Sequence, residues 1–138
     1  MILIACVDEN NGIMFNHRRL SRDREVSMRI LEECNGQPLY MDAYSKALFA
    51  PLPIPKLLCV SNDFLDKCGK KDYCFIEDQS VDNYWSKIES VIVYRWLRKY
   101  PFDRNLEIPE IFELGMQEKF RGHSHDEIQK EVYWKKEV

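Results

Sequence analysis

The chain opens on seven consecutive apolar residues, MILIACV (1–7), and this run limits the folds open to the protein. Its length suits one β-strand, and a strand without alternating polar side chains is covered on both faces, as in the middle of a parallel sheet. Parallel strands are joined by crossover connections, which are usually helices. The run therefore favours an α/β fold around a buried first strand.

The remaining pattern supports that class. Residues 21–34 are predicted to form a helix, with Ser21 as its N-cap and Val26, Ile30 and Cys34 on one face. Further strands are predicted at 38–41, 56–60, 73–77 and 90–97, a short helix at 44–49, and a return to strand at 106–108. Residues 127–135 fit a strand or a helix. We expect a mixed sheet flanked by helices, parallel at first and antiparallel at its C-terminal edge.

Composition narrows the class of protein. We expect one domain over residues 1–138. The net charge is −3 with both signs mixed along the chain, so no nucleic-acid partner is expected. No apolar run is long enough for a membrane helix, and MILIACV lacks the basic start of a secretory signal. Five cysteines without C-x-x-C spacing are typical of reduced thiols in the cytoplasm.

The segment CVDENNGIMFNHRRLSRD (6–23) resembles the N-terminus of dihydrofolate reductases. Val7-Asp8 close the strand, residues 8–13 match the loop that follows it in the family, and Leu20-Ser21-Arg22-Asp23 occupy the L-P-x-D positions. The resemblance continues at residues 37–49, 54–63 and 91–109, where Asp103 falls at a motif aspartate and Leu106 near an aromatic position. It implies a dihydrofolate reductase-like fold in a reduced version.

The resemblance also implies site residues. Asp23 falls where the family keeps the acid that assists protonation of a pterin substrate. The implied ligand-binding residues are Cys6, Val7, Asp8, Gly12, Ile13, Leu20, Ser45 and Tyr94. Asp23 has two interpretations: an acid in a cleft whose pKa is raised by burial, or a first-turn carboxylate that stabilises the helix dipole. We expect the second.

The sequence departs from the family where the family binds its cofactor. Met14 replaces a loop glycine, and Arg18-Arg19 replace Pro-Trp. The phosphate-binding G-R-x-T reads Asp42-Ala43-Tyr44-Ser45, and no Gly-Gly turn separates strands 73–77 and 90–97. The last strand-and-helix unit of the nucleotide half is therefore expected to be missing. An acid at Asp42 would repel a diphosphate. We expect no standard NADPH binding, and the cofactor remains unknown.

Two further features suggest other sites. RGHSHDE (121–127) offers His123, His125 and Asp126 as weak zinc-ligand candidates in an incomplete H-x-H-x-D-H pattern, or a polar turn, and we expect no metal. The basic loop NHRRLSR (16–22) either binds an anion or is simply solvated. Aromatic residues concentrate on the last strands, where they either pack in the core or form a homodimer surface: Tyr94, Trp96, Tyr100, Phe102, Tyr133 and Trp134.

Three functions follow. The first, which we expect, is a degenerate reductase-fold protein that binds an unknown small ligand or protein partner without catalysing reduction. The second is an atypical NAD(P)H-dependent reductase with Asp23 as the acid. The third is a metal-dependent hydrolase that uses His123 and His125.

Overall fold

The structure is a computed structural model, and it describes residues 1–136. Residues 137 and 138 lie outside the described part. The strands are β1 (Ile2–Val7), β2 (Gly12–Phe15), β3 (Arg18–Arg19), β4 (Pro38–Met41), β5 (Leu57–Val60), β6 (Tyr73–Phe75), β7 (Ser90–Trp96), β8 (Arg104–Asn105), β9 (Phe112–Phe120) and β10 (Ile128–Lys135). The α-helices are α1 (Arg24–Cys34), α2 (Ala43–Phe49) and α3 (Phe64–Lys67), and a 3-10 turn covers Trp85–Lys87.

A seven-stranded sheet organises the chain, in the order β5-β4-β6-β1-β7-β10-β9. The first five of these strands run parallel, and β10 pairs antiparallel with both β7 and β9. Strand β1 lies between β6 and β7, and Leu3, Ile4 and Ala5 are fully buried. This confirms the predicted central strand and the mixed sheet with an antiparallel C-terminal hairpin.

Each face of the sheet buries one hydrophobic cluster. Helices α1 and α2 cover one face, where Ile30 and Phe49 pack against Ile4 and Ile92. On the other face, α3 and the chain around the 3-10 turn cover Leu3, Val91 and Val93. Burial on both faces explains why β1 is a continuous apolar run and why β7 is rich in branched and aromatic residues. None of the helices in residues 1–136 is long and apolar enough to cross a membrane.

A second, three-stranded sheet, β3-β2-β8, holds the loop that follows β1. The Asp8 carboxylate is fully buried and accepts the N–H groups of Asn10 and Gly12 at 2.8 Å and that of Tyr100 at 2.9 Å. Gly12 has to be glycine, because a Cβ there would overlap the Phe102 ring. Asp8 therefore ties the loop after β1 to the loop after β7.

Four predictions about individual elements are corrected or settled. The N-cap of α1 is Asp23 rather than Ser21, since its carboxylate accepts the N–H of Glu25. Residues 106–108 form no strand, and the C-terminal hairpin is β9-β10, of which β9 was not predicted. Residues 128–135 are a strand. Between β6 and β7 the described chain forms the 3-10 turn and no α-helix.

Candidate functional site

The candidate site lies where the parallel strands end, the edge at which ligands bind in open α/β sheets. Strand β1 ends at Val7, β4 is followed by Asp42, and Glu77 comes two residues after β6. Two clusters of side chains and one cleft occupy this region. We call them the Asp23 clamp, the Glu77 cluster and the α1-α2 cleft, and define each below.

The Asp23 clamp is the buried Asp23 carboxylate with Ser21, Glu25 and the 121–127 loop that joins β9 to β10. Asp23 is only 3% exposed. Its Oδ1 accepts the N–H groups of Glu25 and His123, both at 2.9 Å. Its Oδ2 accepts the Ser124 N–H at 2.9 Å, the Ser124 hydroxyl at 3.2 Å and the His125 ring at 2.8 Å. Four of these five donors belong to the 121–127 loop, so they join the start of α1 to a loop about one hundred residues away.

The reductase interpretation requires an Asp23 that holds a proton it can donate, whereas the contacts of Asp23 favour its ionised form. Burial acts to raise the pKa of Asp23, but the hydrogen bonds from His123, Ser124, His125 and Glu25 outweigh it and hold that pKa well below its usual range. Of the two interpretations of Asp23, the acid with a raised pKa does not fit these contacts. The carboxylate stays ionised and hydrogen-bonded, which fits the predicted helix-start role and adds a loop anchor.

His125 is the remaining polar member of the clamp. Its Nδ1 lies 2.8 Å from Asp23 Oδ2 and its Nε2 lies 2.8 Å from the Ser21 hydroxyl oxygen. Because an ionised carboxylate only accepts hydrogen bonds, Nδ1 carries a proton, and in the neutral imidazole Nε2 then accepts from the Ser21 hydroxyl. The imidazole is stacked on buried Trp96, with ring centroids 4.8 Å apart and planes 26° apart.

The weak zinc candidates are not brought together. Both ring nitrogens of His125 are already hydrogen-bonded, whereas His123 and Asp126 are exposed. Within residues 1–136, no three His, Cys, Asp or Glu side chains are grouped so that they could hold a metal ion. The segment 121–127 forms the predicted polar turn, closed by a 2.9 Å bond from the Gly122 N–H to the His125 carbonyl.

The Glu77 cluster consists of Arg19, Asp42, Ser45, Glu77 and Gln79. The guanidinium of Arg19 donates two hydrogen bonds to the Glu77 carboxylate, from Nε at 2.7 Å and from the terminal nitrogen at 2.9 Å. The buried Ser45 hydroxyl donates to Glu77 Oε1 at 2.8 Å. Ser45 therefore has the hydroxyl that the motif calls for, but this hydroxyl donates its hydrogen bond to Glu77, a carboxylate of the same chain.

Asp42 closes the cluster on the α2 side. It is the N-cap of α2, with Oδ1 accepting the Ser45 N–H at 2.9 Å and Oδ2 accepting the Gln79 amide at 2.7 Å. Two carboxylates therefore lie where the resemblance places a cofactor diphosphate, and one of them holds Arg19. A diphosphate would meet negative charge and occupied donors here, so these residues do not fit NADPH.

The α1-α2 cleft, of about 440 Å³, opens beside the clamp. One wall is apolar, formed by Ala47, Leu48, Pro51 and Leu52. Arg22 and Arg24 line the cleft and are exposed, and neither has an ion-pair partner among the described residues. Asp23, Ser27, His123 and Ser124 complete the lining. The arrangement suits a small ligand with an apolar body and an anionic group.

The predicted ligand-binding residues do not share one cavity. Val7 and Ile13 are buried in the hydrophobic core, and Asp8 and Gly12 hold the loop after β1 as described above. Leu20 lines a separate cleft beside Arg18 and Tyr100. Ser45 belongs to the Glu77 cluster.

Cys6 and Tyr94 also differ from the expected arrangement. Burial and the nearby Glu77 raise the pKa of the half-buried Cys6 thiol well above its usual range. Tyr94 lines a cleft with Arg29 and Lys130, and its hydroxyl is buried without a hydrogen-bond partner in the described residues. Cys6 and Tyr94 are therefore not placed together in one ligand-binding cavity, as the resemblance to dihydrofolate reductases had implied.

The six predicted aromatic residues differ in burial: two are buried, three are half-buried and one is exposed. Tyr94 and Trp96 are buried, so the alternative of core packing is correct for both. Trp134 is 52% exposed and lies near exposed Met116 on the β9-β10 hairpin. Of the six predicted aromatic residues, Trp134 is thus the exposed one.

Comparison with known proteins supports the fold. A dihydrofolate reductase from Enterococcus faecalis, solved in complex with NADP(H) and RAB-propyl, superposes with a TM-score of 0.65 over 99% of this chain and 96% of that chain, at 11% sequence identity. No protein-family model and no curated protein matches the chain. The protein therefore has a dihydrofolate reductase-like fold. At this identity the likeness shows the fold alone.

Proposed function

We propose that the protein is a degenerate member of the dihydrofolate reductase-like fold that binds a small ligand in the α1-α2 cleft and does not carry out standard NADPH-dependent reduction. The observation that carries the proposal is the Glu77 cluster, in which Arg19 and Ser45 bind a carboxylate of the chain itself. A diphosphate cannot use donors that are already paired, and it gains nothing from a site with two acids.

The ligand class follows from the cleft. Leu48, Pro51 and Leu52 offer an apolar surface, and Arg22 and Arg24 offer positive charge at its mouth. Apolar walls with a few polar groups that fix orientation are the usual composition of a small-molecule site. We propose that the ligand is a small organic anion with an apolar body. We also propose that the protein is a single domain and that it is located in the cytoplasm.

The test is a thermal-shift panel on the purified full chain, with NADPH, NADH, dihydrofolate and 4-phenylbutyrate. A ligand at about 100 times its Kd adds about 2.7 kcal/mol, which is a rise of about 10 °C for a chain of this size. We expect 4-phenylbutyrate to raise the Tm and NADPH to leave it unchanged. Arg24→Glu should abolish the 4-phenylbutyrate shift, and the exposed, distant Lys71→Glu should preserve it.

A concentration-dependent rise with NADPH or dihydrofolate would instead support the atypical reductase. That alternative has less support because both oxygens of Asp23 already accept hydrogen bonds from the protein. The metal-dependent hydrolase has the least support, since His123 and His125 are not placed so that both could bind one metal ion. A panel in which 4-phenylbutyrate gives no shift would refute the assigned ligand class.

A further inference from the structure

Three side chains of the Asp23 clamp form one continuous hydrogen-bond chain. The Ser21 hydroxyl lies 2.8 Å from His125 Nε2, and His125 Nδ1 lies 2.8 Å from Asp23 Oδ2. The ionised carboxylate holds a proton on Nδ1, so in the neutral imidazole Nε2 presents its lone pair to the serine hydroxyl. Nucleophile, base and orienting acid are recognised by such geometry and roles, on any fold and in any chain order.

We propose that Ser21, His125 and Asp23 form a nucleophile-base-acid triad that cleaves small carboxylic esters whose acyl group lies in the α1-α2 cleft. This activity goes beyond binding, and it rests on the proposed cleft for the position of the acyl group. Arg22 and Asp23, which directly follow Ser21, both line that cleft, as do His123 and Ser124 of the loop that carries His125.

The base is rigidly held. Asp23 has no exposed side-chain surface and is anchored by three backbone N–H groups, so it orients the imidazole without moving. Trp96 supports the ring from one side. The His125 side chain keeps 14% exposure and Ser21 is half-buried, so the reacting pair remains within reach of a substrate. If the clamp only anchored the loop, the contacts of Asp23 would be sufficient. The hydrogen bond between Ser21 and His125 would then have no role.

The reaction balances with water as the second substrate. Ser21 Oγ bonds to the ester carbonyl carbon while its proton moves to His125 Nε2. The carbon–oxygen bond to the alkoxide then breaks, and the imidazolium returns that proton to the leaving alcohol. Water attacks the acyl-serine, giving one proton to His125 Nε2, and the Ser21 oxygen takes it back as the carboxylic acid leaves. We assign Arg22 and Arg24, which line the cleft, to stabilise the carbonyl oxygen as it becomes negative.

The first experiment is covalent labelling of the full chain with a fluorophosphonate, read by intact mass and peptide mapping. We expect one adduct per chain, located on Ser21, and p-nitrophenyl butyrate hydrolysis with an initial burst. Ser21→Ala should lose both signals, while the exposed Ser80→Ala should keep them. His125→Gln should slow labelling at least about 100-fold, because a positioned general base contributes about 10²–10⁴.

The mapping of the wild-type adduct keeps the test valid even if a variant folds poorly. No adduct on Ser21, or a labelling rate that His125→Gln leaves unchanged, overturns the triad. Excess 4-phenylbutyrate should slow labelling by occupying the acyl position, and labelling that it does not slow refutes the cleft as that position. A 4-phenylbutyrate thermal shift without Ser21 labelling would refute the triad and leave the proposed binding function intact.

Discussion

Replacing Asp23 with asparagine preserves the shape of the side chain and exchanges one oxygen for an NH₂ group. In one orientation the new donor faces the Ser124 N–H and the His125 Nδ1–H, and in the other it faces the N–H groups of Glu25 and His123. Either way, at least two donors lose their acceptor in a region that is 3% exposed at Asp23. The substitution therefore leaves a buried mismatch whichever way the amide turns.

The size of the effect follows from those contacts. Each buried donor left without an acceptor costs about 1–3 kcal/mol, and in one orientation the Glu25 N–H of the helix cap is one of these donors. The Asp23→Asn protein should therefore be less stable by about 3–5 kcal/mol. With a urea m-value of about 2 kcal/mol per molar, the midpoint of unfolding should fall by about 2 M.

The assay is urea unfolding followed by tryptophan fluorescence at neutral pH. Asp63→Asn is the matched control, because Asp63 is the N-cap of α3 but makes no side-chain capping bond. That variant should change the free energy of unfolding by less than about 0.5 kcal/mol. A loss for Asp23→Asn no larger than that of the control would refute the clamp.

A comparison of the wild type with Asp23→Asn at several pH values also reports the ionisation of Asp23. Its pKa is lowered in the folded state, so ionisation contributes stability that is present above the unfolded pKa of about 3.9 and is lost as the pH falls through the lower folded value. The gap in stability between wild type and Asp23→Asn should therefore be constant from pH 7 to 5. It should shrink progressively below about pH 4, because there the unfolded chain takes up a proton that the folded carboxylate does not.

Two further substitutions test neighbouring contacts. Gly122→Ala places a Cβ 2.6 Å from Asp23 Oδ2, which should displace the loop and destabilise the protein by about 1–3 kcal/mol in urea unfolding; an unchanged midpoint would contradict the close approach. Arg95→Met removes the guanidinium that binds Glu131 at 2.7 and 2.9 Å and leaves that carboxylate buried, at a cost of about 3–5 kcal/mol. This loss should diminish at acid pH, where Glu131 becomes neutral, and a loss that persists there would count against the charge as its cause.

The parts of the fold that could be predicted are those whose burial leaves a pattern in the sequence. Strands β1 and β7 are covered on both faces; β1 is an apolar run and β7 is rich in branched and aromatic residues, and α1 shows its buried stripe at Val26, Ile30 and Cys34. Strand β9 has no such pattern. It is the edge of the sheet, and residues 113–119 are all exposed, so the hydrogen bonds to β10 rather than side-chain burial define it.

The site was predicted less well because its decisive contacts are long-range. The sequence could indicate that Asp23 begins a helix and that Asp42 and Ser45 replace phosphate-binding residues. It carried no sign that Glu77 would bind both Arg19 and Ser45, since hydrogen bonds between distant residues leave no periodicity. Gly122 was the available signal for the clamp. A glycine followed by short polar residues marks a turn that can approach another group closely, and here that group is the Asp23 carboxylate.

The clamp and the Glu77 cluster point to the same chemical change. In the family that the fold resembles, the aspartate at the start of the first helix acts as an acid, and the strand ends receive a phosphate-rich cofactor. Here five donors keep Asp23 ionised, and Glu77 and Asp42 take the donors that a phosphate would need. A carboxylate held in its charged form cannot supply a proton, but it can hold a histidine in one tautomer. The contacts that argue against reduction are therefore those that make His125 a base for Ser21.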